Sequence, residues 1–324
     1  MNNVDILKNI LYHDRAVIVL NKPAGLVAQG GSAPTPPDRD PRTSYYLANV
    51  LEELKVTLGL SEAPYTVHRL DKGTTGCLVL AKTPHAAKAL SNQFNRRDAA
   101  PGDDLHVEKR YFSLVQNAKS AAGGEIRTPL VNRDGRMSAA LAPRSADSPG
   151  VEKEAATDWK LLSTANGLSL LELNLLTGVK HPLRVHLSKC INAPILGDDL
   201  YGPEVKASDK DIWSPTARHS RIYLHARELS FYRYLRTGSH RQIRITVAAP
   251  LPPLFLALCQ EMGVQIADEW VHGAVRLKAV QRWKPAEEVL SSLEGHAGEG
   301  IRCSYDEPER QTQEWAVTKG VETQ

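Results

Sequence analysis

Residues 67–76, Val67-His68-Arg69-Leu70-Asp71-Lys72-Gly73-Thr74-Thr75-Gly76, place three charged side chains and a histidine within five consecutive positions. A turn with two glycines follows, then the apolar run Cys77-Leu78-Val79-Leu80-Ala81, which reads as a buried strand. A carboxylate between Arg69 and Lys72, at the lip of a strand, can be held beside cations and used as a reactive acid. The same spacing also suits an exposed turn with solvated charges. The elements that position the stretch must therefore decide between the two.

Upstream, Ala16-Val17-Ile18-Val19-Leu20 is a short apolar run punctuated by Asn21-Lys22-Pro23-Ala24-Gly25, a strand entering a turn. Gly30 to Arg42 is rich in Pro, Gly, Ser and Asp and reads as a loop. Leu47, Val50, Leu51 and Leu54 recur at helical spacing within 44–58. Downstream, Thr83 suits a helix N-cap and Pro84 a first helical residue, and Ala87, Leu90 and Phe94 extend a helix over 84–97. Arg96 and Arg97 at its end serve either the helix dipole or a phosphate.

Glu108 to Val115 reads as the next strand, with Tyr111 in it, and 118–155 as loop-rich, with Ala146 to Gly150 a mobile tip. Two strands, 155–163 and 168–176, flank the hairpin signal Asn166-Gly167. In the second, Leu171, Leu173 and Leu175 alternate with Glu172 and Asn174, which predicts one buried face. In Leu224-His225-Ala226-Arg227-Glu228-Leu229-Ser230-Phe231 the apolar parity shifts after Ala226, which predicts a bulge. Ile243, Ile245 and Val247 mark one more strand, and Pro252 to Met262 a helix.

His68-Arg69-Leu70-Asp71-Lys72-Gly73-Thr74-Thr75-Gly76 resembles the H-R-L-D-x-x-T-S-G signature of the RluA-type RNA pseudouridine synthases. Four further blocks are similar to that family in the same order. They are Asn21-Lys22-Pro23-Ala24-Gly25, the Lys109–Val115 strand, Thr177 to Leu187 with Pro194 to Gly202, and Leu224 to Phe231. The resemblance implies an α+β fold, with a mixed, mostly antiparallel sheet, flanking helices and a loop-lined catalytic cleft. It implies that Asp71 is the catalytic carboxylate, that Tyr111 lines the site, and that Arg184 pairs with Asp71. Val179, Lys180 and Pro182 depart from the family pattern, where Arg, Thr and Gln are usual.

Pseudouridine formation breaks a nitrogen–carbon glycosidic bond and rejoins the base through carbon 5, with no redox change. A carboxylate acts at the anomeric carbon as nucleophile or charge stabiliser, and a second group handles a proton. Tyr111 is the candidate base or base-stacking partner. The target base must leave its stack, and Arg69 is placed to fill the gap. Leu70, Leu78 and Leu224 would floor the pocket. His68 reads as a structural hydrogen-bonding residue at the substrate side, and Lys22, Lys72, Lys109 and Lys180 as candidate phosphate contacts. No cofactor and no metal are expected.

The 324 residues carry a net charge of +3, 42% apolar and 24% charged side chains, which permits an RNA partner without requiring one. Four separated cysteines (Cys77, Cys190, Cys259, Cys303) form no C-x-x-C pair, which argues against a disulfide scaffold or zinc knuckle. No run reaches a membrane span, and residues 1–13 make a poor transit peptide. A soluble, intracellular monomer is expected, with the mitochondrion preferred over cytoplasm or nucleus. The expected organisation is a catalytic domain over 12–262, an extension over 263–284 and a disordered tail over 285–324. Large-subunit ribosomal RNA is the preferred substrate and transfer RNA the alternative. The rival classes are a catalytically silent RNA-binding or ribosome-assembly factor on the same fold, and an N-glycoside hydrolase, which needs a second carboxylate.

Overall fold

The computed structural model describes residues 3–28, 45–95, 106–116, 122–133, 135–141, 151–202, 221–234 and 242–280. Among them, eleven strands form one mixed sheet. Its main path runs Ile10–His13, Val17–Lys22, Thr75–Ala81, Leu224–Tyr234, Glu108–Gln116, Leu168–Leu175, Thr157–Ala165 and Gly123–Ile126. Every pairing on this path is antiparallel except Thr75–Ala81 with Leu224–Tyr234, which is parallel. Gln242–Ala248 pairs with the far half of Leu224–Tyr234, and Ala274–Val280 adds outside it. The α+β class inferred from the sequence is the class observed.

Both faces of the sheet are covered, and side-chain alternation assigns each residue to one of them. Ile18, Leu20, Leu78, Leu80, Tyr111, Val115, Leu171 and Leu173 share one core with the helix Leu47–Thr57, whose Leu47, Val50 and Leu54 face inward. Val17, Val19, Cys77, Val79 and Ala81, the alternate positions, pack against Ala86 and Leu90 of the helix Pro84–Asn95. That helix starts where expected, with Thr83 Oγ1 accepting from the Ala86 N–H at 3.2 Å. Farther along the second face, Phe112, Leu114, Leu168 and Leu170 meet Phe255, Leu258 and Cys259 of the helix Pro253–Glu261. The strand Leu168–Leu175 is thus buried on both faces over its first half. Alternation predicted one, because it cannot see the helix that covers the other.

One close approach organises the site. Gly76 has φ +107°, and a Cβ there would lie 2.2 Å from the Ala226 carbonyl oxygen. Only glycine permits that contact, and it lets Thr75 and Gly76 pair with His225 and Ala226. The register shift between His225 and Glu228 is the bulge read from the sequence. It leaves the loop before Thr75 facing the first core.

The stretch 118–155 holds more structure than its composition suggests. Leu130–Arg133 pairs with Arg136–Ala139 and Glu152–Lys153 in a small separate sheet. Strands this short carry too few alternations to register as a pattern. Beyond residue 262, a short helix Asp268–Val271 precedes the edge strand Ala274–Val280. The loop over 30–42, Arg96, Arg97, the tip at 146–150 and the tail over 285–324 lie outside the described residues. No helix among the described residues is long and apolar enough to cross a membrane.

Candidate active site

Asp71 sits in the irregular segment between the strands Tyr65–Thr66 and Thr75–Ala81, at a turn closed by the Thr74 N–H donating to the Asp71 carbonyl at 3.1 Å. The turn is pinned from below by Lys22, which is 1% exposed. Its Nζ donates to the carbonyls of Pro23 (3.1 Å), Lys72 (3.1 Å) and Thr74 (2.8 Å). Burial brings its pKa down to about 7, against the opposing pull of the Asp71 charge. Lys22 therefore does not offer its ammonium to phosphate, as the sequence suggested. Its three donors are spent holding the Asp71 turn.

Arg184 approaches Asp71 from the other side, on the short helix Pro182–Val185 that continues as a π-helix over His186–Cys190. Its Nη1 lies 3.8 Å from Asp71 Oδ2. The two-pronged face of the guanidinium, however, engages Asp198, with Nε to Oδ2 at 2.8 Å and Nη2 to Oδ1 at 2.6 Å. Nη2 also reaches Asp199 Oδ1 at 2.9 Å, and the guanidinium lies 5.3 Å from the centre of the Tyr201 ring. Asp198 in turn accepts from the N–H groups of Leu200 and Tyr201, each at 2.9 Å. Burial alone would raise its pKa, yet the Arg184 hydrogen bonds and charge bring it below the ordinary carboxylate value. Asp198 lies in the Pro194 to Gly202 block, and no local signal in the sequence marks it as the partner of Arg184.

His181 is the second residue that sequence reasoning missed. Its Nε2 lies 3.5 Å from Asp71 Oδ1, and Nδ1 lies 3.2 Å from the Tyr201 hydroxyl. The packing next to Asp71 is apolar. Leu70, Leu78 and Leu224, the expected floor, join one cluster with Tyr111, Leu173, Leu183 and Ile222. Tyr111 is 7% exposed, and its hydroxyl pKa is raised by burial, then by the charge of Asp71.

The expected substrate contacts separate into two groups. Arg69 is exposed, and its charge acts on His181, so it stands on the Asp71 rim. Lys72 and Lys180 are exposed too, Lys180 reaching the Gly135 carbonyl at 3.4 Å. His68 turns the other way. Its ring stacks on Phe94 at 4.4 Å, and Nε2 accepts the Val79 N–H at 2.9 Å. Burial, then the charge of Lys109, pushes its pKa down to about 3, so it stays neutral and structural. Lys109, half-buried beside it, is brought to about 8 by burial. His68 is committed to Phe94 and Val79 and not to Asp71.

A carboxylate with a guanidinium and an imidazole beside separate oxygens, next to an apolar cluster that includes a tyrosine, is equipped to act at a sugar carbon. Residues 16–189, more than half of the chain, match the family model described as RNA pseudouridylate synthase. The chain belongs to that family. An RNA pseudouridine synthase of Zymomonas mobilis, itself uncharacterised, is 32% identical over 258 residues, covering 78% of this chain and 98% of its own. The mitochondrial pseudouridylate synthase RPUSD4 of Xenopus tropicalis is 28% identical over 291 residues, with 82% and 83% covered. Among solved structures, human RNA pseudouridylate synthase domain containing 4 superposes with a TM-score of 0.63 at 26% identity, over 82% of this chain and 97% of that one. The chain is thus an RNA pseudouridine synthase, an isomerase that modifies RNA. Within this synthase the irregular loops around Asp71, His181 and Asp198 converge on one lip of the sheet.

Proposed function

We propose that Asp71 is the reactive carboxylate of this synthase, that Arg184 aims it, and that Tyr111 handles a proton or stacks on the base. The observation that carries this reading is the pair of cationic or polar contacts on Asp71 next to an otherwise apolar cluster that includes Tyr111. In the reaction, Asp71 acts at the anomeric carbon while the bond to the base nitrogen breaks. The freed uracil turns beside the apolar side chains, and carbon 5 bonds to the sugar carbon as Asp71 releases it. The proton on carbon 5 passes through a base, for which Tyr111 is the candidate, while the former glycosidic nitrogen takes up a proton, so the net change is an isomerisation. Atoms balance without an oxidant or a water.

Tyr111 fits the proton step through its coupling to Asp71. The negative charge of Asp71 raises the phenol pKa, second only to burial. When Asp71 shares its charge with an oxocarbenium-like sugar or becomes an ester, that contribution falls away and the phenol becomes easier to ionise. The exposure of Arg69 supports a role in filling the space left by a flipped nucleotide.

The hydrolase reading needs a second carboxylate free to activate water. The nearby Asp198 side chain is 1% exposed and committed to Arg184, and Asp199 is held by the same guanidinium at 2.9 Å. Both are thus engaged by a cation, through Nε and Nη2, away from the Nη1 that faces Asp71 Oδ2. Large-subunit ribosomal RNA is the preferred substrate. The mitochondrion is the preferred compartment, on the names of similar proteins from Xenopus tropicalis and Arabidopsis thaliana.

Asp71→Asn keeps the shape and removes the reactive oxygen anion. We expect pseudouridine formation to vanish while RNA binding persists; measurable turnover by the pure variant overturns the role of Asp71. Pseudouridine mapping with and without the gene tests the substrate. Positions lost only from transfer RNA would overturn the ribosomal assignment and leave the role of Asp71 standing.

A further inference from the structure

We propose that His181 is a positioning residue for Asp71, holding one carboxylate oxygen through Nε2–H while Tyr201 fixes which ring nitrogen bears the proton. The inference rests on Asp71 being the reactive carboxylate. An aspartate carboxylate turns readily about its last torsion, so a single contact does not fix its plane. Here two donors meet different oxygens: His181 Nε2 stands 3.5 Å from Oδ1 and Arg184 Nη1 3.8 Å from Oδ2. Both distances are longer than a formed hydrogen bond, as is common before substrate closes such a site.

The backbone is set for this task. His181 has φ 53° and ψ 32°, in the left-handed region, one of three non-glycine residues with positive φ among those described. Pro182 follows at the first helical position, and the His181 carbonyl accepts the Val185 N–H at 3.1 Å. The strained residue is thus locked between a bend and a helix start, and its ring is 11% exposed.

The protonation state follows from the neighbours. Burial lowers the imidazole pKa; Asp71 opposes this, and Arg184, Lys180 and Arg69 reinforce it. A neutral imidazole has one N–H, on either nitrogen. The Tyr201 hydroxyl, its own pKa raised by burial, keeps its proton, and its oxygen takes a backbone hydrogen bond from Met137. Its proton is therefore free to donate to His181 Nδ1, 3.2 Å away. The ring proton then lies on Nε2, facing Asp71. A neutral donor aims the carboxylate without adding a second full positive charge that would blunt its reactivity.

Two substitutions separate this role from a backbone role. His181→Gln places an amide N–H near the position of Nε2, whereas His181→Asn reaches only the position of Nδ1. Asparagine nevertheless tolerates the left-handed conformation better than glutamine. In single-turnover pseudouridine formation by the full chain, we expect Gln to stay within about threefold of wild type and Asn to fall about tenfold or more. RNA affinity should be unchanged in both. Asn performing as well as Gln, or both falling equally, overturns the proposal. A second measurement does not depend on the Asn variant. Tyr201→Phe should slow wild type severalfold but have no effect in the His181→Gln background, where no tautomer needs fixing. Equal losses in both backgrounds overturn it. Failure of the Asp71 assignment shows itself separately, as activity retained by Asp71→Asn.

Discussion

Replacing Asp198 by Asn tests the idea that Arg184 is aimed by a partner other than its target. Arg184 is 8% exposed and the Asp198 side chain 1% exposed, with contacts of 2.8 and 2.6 Å between them. In the variant, the amide oxygen can still accept from Leu200 and Tyr201. The amide N–H2 then faces the Nε–H of Arg184, donor against donor, so the guanidinium must shift. Breaking a buried pair by removing one partner costs about 3–5 kcal/mol. Asp199 and Asp71 remain as partners, so the lower end, about 3 kcal/mol of folding stability, is expected. A displacement of about 1 Å at a positioning group costs about a hundredfold in rate, equivalent to about 2.7 kcal/mol of barrier. Urea unfolding reads the first quantity and single-turnover kinetics with saturating enzyme the second. Asp199→Asn is the internal control. That side chain is 85% exposed, and an exposed pair is worth about 0–1 kcal/mol, so turnover should barely change. A folded Asp198→Asn enzyme within threefold of wild type would refute the argument that Asp198 orients Arg184.

Three further outcomes follow from the same geometry. Tyr111→Phe keeps the buried ring and loses the hydroxyl, so turnover should collapse with RNA still bound; near-normal kinetics would reduce Tyr111 to packing. Arg184→Lys keeps the charge but cannot engage Asp198 with two prongs and reach Asp71 as well, so turnover should fall at least about tenfold, roughly 1.4 kcal/mol. An unchanged rate would mean that charge alone suffices. Lys22 makes stability depend on pH. Its folded pKa of about 7 lies below the ordinary lysine value of 10.5, so between those values the unfolded chain binds more protons and stability rises with pH. Relative to Lys22→Met, wild type should gain about 2 kcal/mol between pH 7 and pH 9. Denaturant unfolding at the two pH values checks this, and a flat difference would place the Lys22 pKa elsewhere.

Much of the fold is written locally. The apolar run Val17 to Leu20, the cap at Thr83, the turn at Asn166-Gly167 and the parity shift after Ala226 each involve residues a few positions apart. Strand, helix, hairpin and bulge are observed where those signals place them. The motif around Asp71 marked the candidate carboxylate for the same reason: its meaning sits in contiguous residues.

What the sequence could not decide was how distant residues meet. Leu224–Tyr234 inserts parallel to Thr75–Ala81 and antiparallel to Glu108–Gln116, and no local pattern specifies that order. Only this arrangement turns Lys22 inward to the carbonyls of the Asp71 turn, gives the Arg184 fork to Asp198, brings His181 to Asp71 and sends His68 to Phe94. The chain sequence thus determined the elements and the residue type capable of the chemistry, because backbone propensity and side-chain periodicity are short-ranged. Tertiary structure decided which cation lies beside the carboxylate and which is spent on the backbone, because burial and pairing are set by neighbours that only the folded sheet brings together.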